Sequence, residues 1–403
     1  MPIEIRELEE DYFDEGIELS QFAFQFTLTP EEKEKARERY KHEPAVRWGA
    51  FVDGNYAANL TLLTLHTYVG GKRFAMGGVA GVATWPEYRR QGLVAELLRT
   101  ALLHMKEQGQ TLSYLAPFAI GFYRKFGWEL YTDNKRYKIE AALMPKRENY
   151  AGRIERLSDN IPLLNELYNV YARRYNGMLE RTEAWWTNRV KRRKQGQTAV
   201  YYGADHTPQG YVLYEVKQKE LKIHEIVALT EEAGRALWSY LGQHDSMIES
   251  AEAVVPIDDR LAFLLPNPRI KQEIEPYFMA RIVDAEAFLS QYVFTDAQEG
   301  QPSTILIELT DEHAPWNTGV YKLDIQTDGT AKAAKIPQTE TTTSSEKEPL
   351  RIRTDIGSLT AMLHSYMRPS ELNQHGRVAG DAPAIRFLEA RIPVKTPFLL
   401  DFF

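Results

Sequence analysis

The stretch from Val79 to Leu98 ends an apolar, glycine-containing run, passes through a basic turn and opens a long amphipathic segment. Arg89, Arg90 and Gly92 stand at that junction. Backbone N–H groups at a helix start have no intrahelical partner, and the peptide dipoles add positive potential there. Phosphates bind such a place readily, two arginines add charge, and a glycine lets the backbone approach a pyrophosphate. The spacing is neither the G-x-G-x-x-G dinucleotide fingerprint nor the G-x-x-x-x-G-K-[ST] phosphate loop. Further on, Phe122 to Glu129 reads FYRKFGWE and places Tyr123 ahead of a Phe-Gly-Trp turn.

The surrounding elements follow from periodicity. A strand at Ile3–Arg6 precedes an amphipathic stretch and a charged helix that Pro30 starts. Strands at Val46–Val52 and Ala57–Tyr68 flank the turn Asp53-Gly54-Asn55, and Met76–Thr84 is a small apolar strand whose glycines permit close approach. Gly92–Gln108 is the clearest helix, with Leu93, Leu97, Leu98, Ala101, Leu102 and Met105 on one face. Strand Thr111–Leu115, a short helix Ile120–Lys125 and strand Gly127–Tyr131 complete the unit. Val200–Gly203, Tyr211–Val216, Leu221–Leu229, a helix Glu231–Gln243 and Ala251–Val255 repeat that order as a diverged duplicate. A third block has strands Thr304–Leu309, Gly319–Ile325 and Arg351–Thr354, a solvated loop at Gln338–Glu348, helices Asp355–Met367 and Asp381–Glu389, and an apolar tail from Pro397 to Phe403. Three domains are expected: 1–145, 146–283 and 284–403.

Bulk properties agree. A chain of 403 residues exceeds one hydrophobic core, and 43% hydrophobic with 26% charged residues is ordinary globular composition. The absence of cysteine excludes disulfides, thiolate metal sites and a cysteine nucleophile. A net charge of −7 argues against sequence-independent nucleic-acid binding. No apolar run reaches membrane-spanning length and the start is acidic, so a cytoplasmic location without a membrane span is expected.

The helix start resembles the R-x-x-G-x-[GA] signature of the GNAT N-acetyltransferases, which bind acetyl-CoA: Arg89 and Gly92 match and Val94 departs. Tyr123 resembles the tyrosine that protonates the departing coenzyme A thiolate in that superfamily. The whole chain resembles the enhanced intracellular survival (Eis) family. The implied fold class is α+β: tandem GNAT domains, each a mixed, mostly antiparallel sheet flanked by helices, then a sterol-carrier-protein-like α+β domain. The first GNAT domain would hold acetyl-CoA and the second would be degenerate. The resemblance implies acetyl-CoA contacts at Val82, Ala83, Thr84, Arg90, Gln91, Gly92, Leu93, Val94, Ala95, Phe118 and Ala119. It also implies a general base in the terminal carboxylate of Phe403, and a trimer-based homo-oligomer, a homohexamer.

Acetyl transfer needs a neutral amine, and a primary alkyl amine is protonated at pH 7, so some group must accept a proton. The backbone N–H of Val82 is the candidate oxyanion donor, and no metal is required. The expected acceptor is a primary amine on a cationic small molecule, aminoglycoside-like or a polyamine. The alternatives are a protein lysine or N-terminal amine, or a lipid or sterol carrier with a vestigial transferase domain. His42-Glu43 and His224-Glu225 lack the second histidine of a zinc motif. The run Arg189–Lys194 reads as a solvated helix end, and Phe22, Phe24 and Phe26 suit either an amine pocket or a core. Glu231 and Glu232 stand where the duplicate would need arginines, which argues against a second acetyl-CoA site.

Overall fold

The structure, a computed structural model, describes residues 3–297, 303–337 and 349–403. The expected solvated loop at 338–348 lies outside them. Twelve strands form one sheet: β1 (Ile3–Glu7), β2 (Ala45–Val52), β3 (Asn55–Val69), β4 (Lys72–Thr84), β5 (Leu112–Leu115), β6 (Glu129–Glu140), β7 (Arg153–Leu157), β8 (Gln197–Tyr202), β9 (Pro208–Lys217), β10 (Glu220–Ala228), β11 (Ser250–Val255) and β12 (Lys271–Ile282). Their order is β1-β2-β3-β4-β5-β12-β6-β11-β10-β9-β8-β7. A second, five-stranded sheet has the order β15-β14-β13-β16-β17, built from β13 (Thr304–Thr310), β14 (Gly319–Ile325), β15 (Ala331–Ile336), β16 (Arg351–Asp355) and β17 (Val378–Gly380).

The two repeats interlock. Strand β12, late in the chain, lies between β5 and β6, and β6 carries the sheet onward by pairing with β11. Two sequence expectations fail here for one reason. Strand β6 was expected to stop at Tyr131 but runs to Glu140, and β12 was not foreseen. Residues Thr132–Arg136 are polar, and β12 begins with six exposed residues ending in Pro276, which sits at a register shift. Neither shows the period-two alternation of a half-buried strand; neighbours that are distant in sequence make both into strands.

Local chemistry starts the helices that frame the site. Helix α1 (Phe13–Phe24) is followed by α2 (Pro30–His42), which begins with a capping box between Thr29 and Glu32 and a proline in the first turn. Helix α3 (Leu93–Glu107) buries the apolar stripe read from the sequence, against β3 and β4. Of the β4 glycines, a Cβ at Gly77 would strike Met105 of α3, and one at Gly78 would lie 2.8 Å from the Phe403 ring. That close approach serves side-chain packing, and the tail is thereby drawn into the first repeat.

Candidate active site

Strands β4 and β5 pair in parallel from Met76–Leu112 to Val79–Leu115. There β5 ends, while β4 continues to Thr84 and leaves a wedge between them. In the same part of β4, Thr61 faces Ala80 and Asn59 faces Ala83, so Gly81 and Val82 together oppose Leu60. This is a β-bulge, with Gly81 left-handed at φ 57° and its carbonyl accepting a 2.8 Å hydrogen bond from the Asn59 amide.

One cavity, about 760 Å³, occupies the wedge. Its walls include Val82, Ala83, Thr84, Arg89, Arg90, Gly92, Leu93, Val94, Ala95 and Phe118. Gln91 and Ala119 are not on those walls: the Gln91 amide turns back to the Glu87 carbonyl at 3.2 Å, and Ala119 caps the next helix. Gly92, the N-cap of α3, has φ 84°, no side-chain cap and nothing within 4 Å of where a Cβ would stand. The first-turn N–H groups of a fifteen-residue helix therefore face open space beside two exposed arginines. Phe122, Lys125 and Phe126 of the FYRKFGWE segment also line this groove, as do Tyr88 of the basic turn and Phe24.

Helix α4 (Ile120–Lys125) carries Tyr123, which is 2% exposed. Its ring lies 5.3 Å from that of Phe118 and 5.2 Å from that of Phe122, behind the groove wall formed by both. Burial pushes its phenol well above the ordinary value, so it stays protonated.

A second cavity, about 310 Å³, opens on the other side of the bulge. Ala80 and Gly81 line it, one residue from Val82 in the first, and so does Phe403. Tyr12, Phe13, Tyr40, Tyr56 and Asn59 form further walls, and Arg39, Arg47, Arg189 and Arg192 supply the cations. Glu43 is the one acidic side chain among the described lining residues, and Arg189 (Nε at 3.1 Å) and Arg47 (3.6 Å) both engage it. Tyr56 Oη and Asn59 Oδ1 are buried without a hydrogen-bond partner among the described residues. The exposed aromatics Phe22, Phe24 and Phe26 are absent from these walls: Phe24, the last residue of α1, lines the first cavity, the Phe22 ring lies 5.0 Å from that of Trp85, and Phe26 follows the helix end. The run Arg189–Lys194 does end a helix with Arg192 and Arg193 exposed, but it is not only a solvated end: Arg189 and Arg192 line the cavity and Lys194, partly buried, pairs with Glu225.

The tail reaches this place through a buried lock that sequence reading missed, since its members come from segments far apart in the chain. Asp401 accepts hydrogen bonds from Arg181 Nε (3.0 Å), Trp185 Nε1 (2.8 Å) and Tyr168 Oη (3.1 Å). Arg181 then grips Glu225 with both terminal nitrogens at 2.9 and 2.8 Å, and Tyr277 Oη donates to the Asp401 carbonyl. Burial opposes the charge of Glu225, but Arg181 and Lys194 outweigh it and hold the carboxyl well below its ordinary range.

Comparisons with known proteins agree with this architecture. Residues 4–131 and 177–282 match acetyltransferase (GNAT) domain families, and residues 285–400 match a sterol carrier protein domain family. The N-acetyltransferase Eis of Mycobacterium tuberculosis is 26% identical over 341 residues, which covers 80% of each chain. An uncharacterized N-acetyltransferase of Streptomyces griseus is 27% identical over 311 residues, 70% of this chain and 73% of the relative. A solved structure from Enterococcus faecalis, described as a probable N-acyltransferase, superposes over 100% of both chains with TM-score 0.90 and 26% identity. Eis1 from Mycobacterium abscessus shares the fold over 100% of both chains, with TM-score 0.80 and 23% identity. Two GNAT domains followed by a sterol-carrier-type third domain make this chain a GNAT N-acetyltransferase, similar over most of its length to the N-acetyltransferase Eis.

Proposed function

We propose that this protein transfers the acetyl group of acetyl-CoA to a primary amine, with the thioester held in the wedge and the amine entering from the arginine-lined cavity. The observation that carries this reading is the meeting of the two cavities on consecutive residues of β4, at Gly81 and Val82. The pyrophosphate would lie on the α3 N-terminus, with Arg89 and Arg90 beside it and Gln91 to Ala95 supplying backbone. A bulge leaves one residue outside the ladder, which suits the Val82 N–H as donor to the developing oxyanion. The terminal carboxylate of Phe403 accepts the amine proton, directly or through water. The amine attacks the thioester carbon, the tetrahedral intermediate collapses, and Tyr123 gives its proton to the departing thiolate. The place of the Tyr123 ring against Phe118 and Phe122 of the groove wall supports that role, and Phe118 and Ala119 would flank the pantetheine arm.

The acceptor is a small molecule in this reading. A polycation of the aminoglycoside or polyamine kind finds no support in a cavity with four guanidinium groups. A trimer-based homo-oligomer working in the cytoplasm, where acetyl-CoA is made, completes the proposal. Coenzyme A release from acetyl-CoA in the presence of amines tests it, using the native protein and one with a single glycine appended after Phe403. Loss of turnover of about 10²-fold on extension, with acetyl-CoA binding kept, is expected; equal turnover removes the carboxylate from the mechanism.

A further inference from the structure

The second cavity joins four cations to one acidic side chain, and their pairing is unequal. Glu43 is shared by Arg47 and Arg189. Arg47 is also held flat over the Tyr40 ring, 3.8 Å from its centroid. Arg39 on α2 is half-buried, Arg192 sits at the exposed rim, and neither forms an ion pair within the described residues. Glu32, the carboxylate whose field Arg192 feels, is occupied in the α2 capping box, where it accepts from the Thr29 N–H at 2.8 Å. Burial, and next the like charges of Arg192 and Arg189, push the Arg39 guanidinium below its ordinary value, with Glu43 offsetting part of this. Even with the α-carboxylate of Phe403 added to Glu43, the cavity holds more positive than negative charge. Guanidinium groups held close together without counter-charge repel one another, and an anion that bridges them removes that cost.

We propose that the acceptor is an amine that also carries a carboxylate or phosphate group, with that anion bound between Arg39 and Arg192 and the amine directed to the bulge at Gly81. The proposal rests on the acetyl-transfer reading and names the substrate class of that same site. Planar guanidinium groups recognise carboxylate and phosphate oxygens through paired hydrogen bonds, and at about 310 Å³ the cavity is of small-molecule size. Anchoring the anion at the rim would leave the amine end to the inner wall, where Asn59 Oδ1 has no partner and can accept an amine N–H. A polyamine would instead place its second charge among the arginines, which like-charge repulsion disfavours.

Matched acceptors test this: 3-aminopropyl phosphate and 4-aminobutyrate against propylamine and spermidine, each assayed by coenzyme A release and by calorimetric binding to the full chain. The two anionic amines separate phosphate from carboxylate recognition. At least one of them is expected to exceed propylamine in kcat/KM by about tenfold or more, as one charge-assisted contact provides. In the Arg39→Gln, Arg192→Gln double variant, that ratio of anionic to neutral amine should fall about tenfold, through KM. Equal ratios in both proteins, or preference for spermidine, overturns the proposal. Calorimetry separates the two failures: tight, arginine-dependent binding of the anionic amine with no coenzyme A release from any of the four amines upholds the anion site and overturns acetyl transfer. Binding no tighter than that of propylamine overturns the proposal whatever the turnover.

Discussion

Tyr123 and Phe403 stand on opposite sides of the same bulged strand, and their roles separate cleanly by measurement. Replacing Tyr123 with Phe keeps the ring contacts to Phe118, Phe122 and Trp128 and removes only the hydroxyl. We expect kcat to fall by about 10²-fold with acetyl-CoA affinity nearly unchanged. A parallel loss of acetyl-CoA binding, read by calorimetry, would assign the residue to packing instead. Gly78 tests the tail from the other side. A methyl group there would lie 2.8 Å from the Phe403 ring, so Gly78→Ala should displace the terminal residue. Turnover should drop while acetyl-CoA still binds, because the wedge begins beyond Val79.

At the scale of elements, the two repeats differ in how their equivalent helices begin. Helix α3 starts at Gly92 with no side-chain cap, so its first N–H groups are available to a phosphate. The corresponding helix, Glu231–Gly242, is capped by Thr230, whose hydroxyl accepts from the Ala233 N–H, and Glu231 and Glu232 fill its first turn. The cap occupies one of the donors a pyrophosphate would need, and the two carboxylates repel it. Calorimetry should therefore find one acetyl-CoA per chain; two would contradict this account. Gly92→Ala forces a side chain to φ 84°, at a cost of about 1–2 kcal/mol. Its effect should appear mainly as weaker acetyl-CoA binding.

Across the whole molecule, the lock of Arg181, Glu225 and Asp401 ties the tail to the second repeat and so positions a residue that lines the first repeat's cavity. Glu225→Gln removes one partner from a buried network and should destabilise the fold by about 3–5 kcal/mol. The pH dependence has a definite sign. The folded Glu225 carboxyl titrates below its unfolded value, so its contribution is complete above about pH 4.3 and is lost as pH falls towards the folded value. Thermal melts should show the native protein losing stability below about pH 4.3, and the Glu225→Gln protein, less stable at neutral pH, losing less there.

What the sequence determined by itself is whatever short-range chemistry encodes. The amphipathic stripe of α3, the basic turn ending at Gly92 and the hairpin turn at Asp53-Gly54 are each written within a few residues. The resemblance of those motifs to the GNAT proteins named twelve residues as acetyl-CoA contacts, and the fold brings ten of them to the wall of one cavity. The tertiary structure alone decided the rest. The insertion of β12 between β5 and β6 depends on pairing between segments more than a hundred residues apart, and Pro276 disguises it. The arginine-lined cavity draws on α1, α2, β2, β3, β4, the helical segment carrying Arg189 and Arg192, and the last residue, so no local pattern could announce its charge. Glu43 and Glu225, read as halves of failed zinc motifs, are the carboxylates that organise the arginines of the cavity and of the lock. Charge complementarity is a property of side chains brought together in space, and the chain has to fold before it exists.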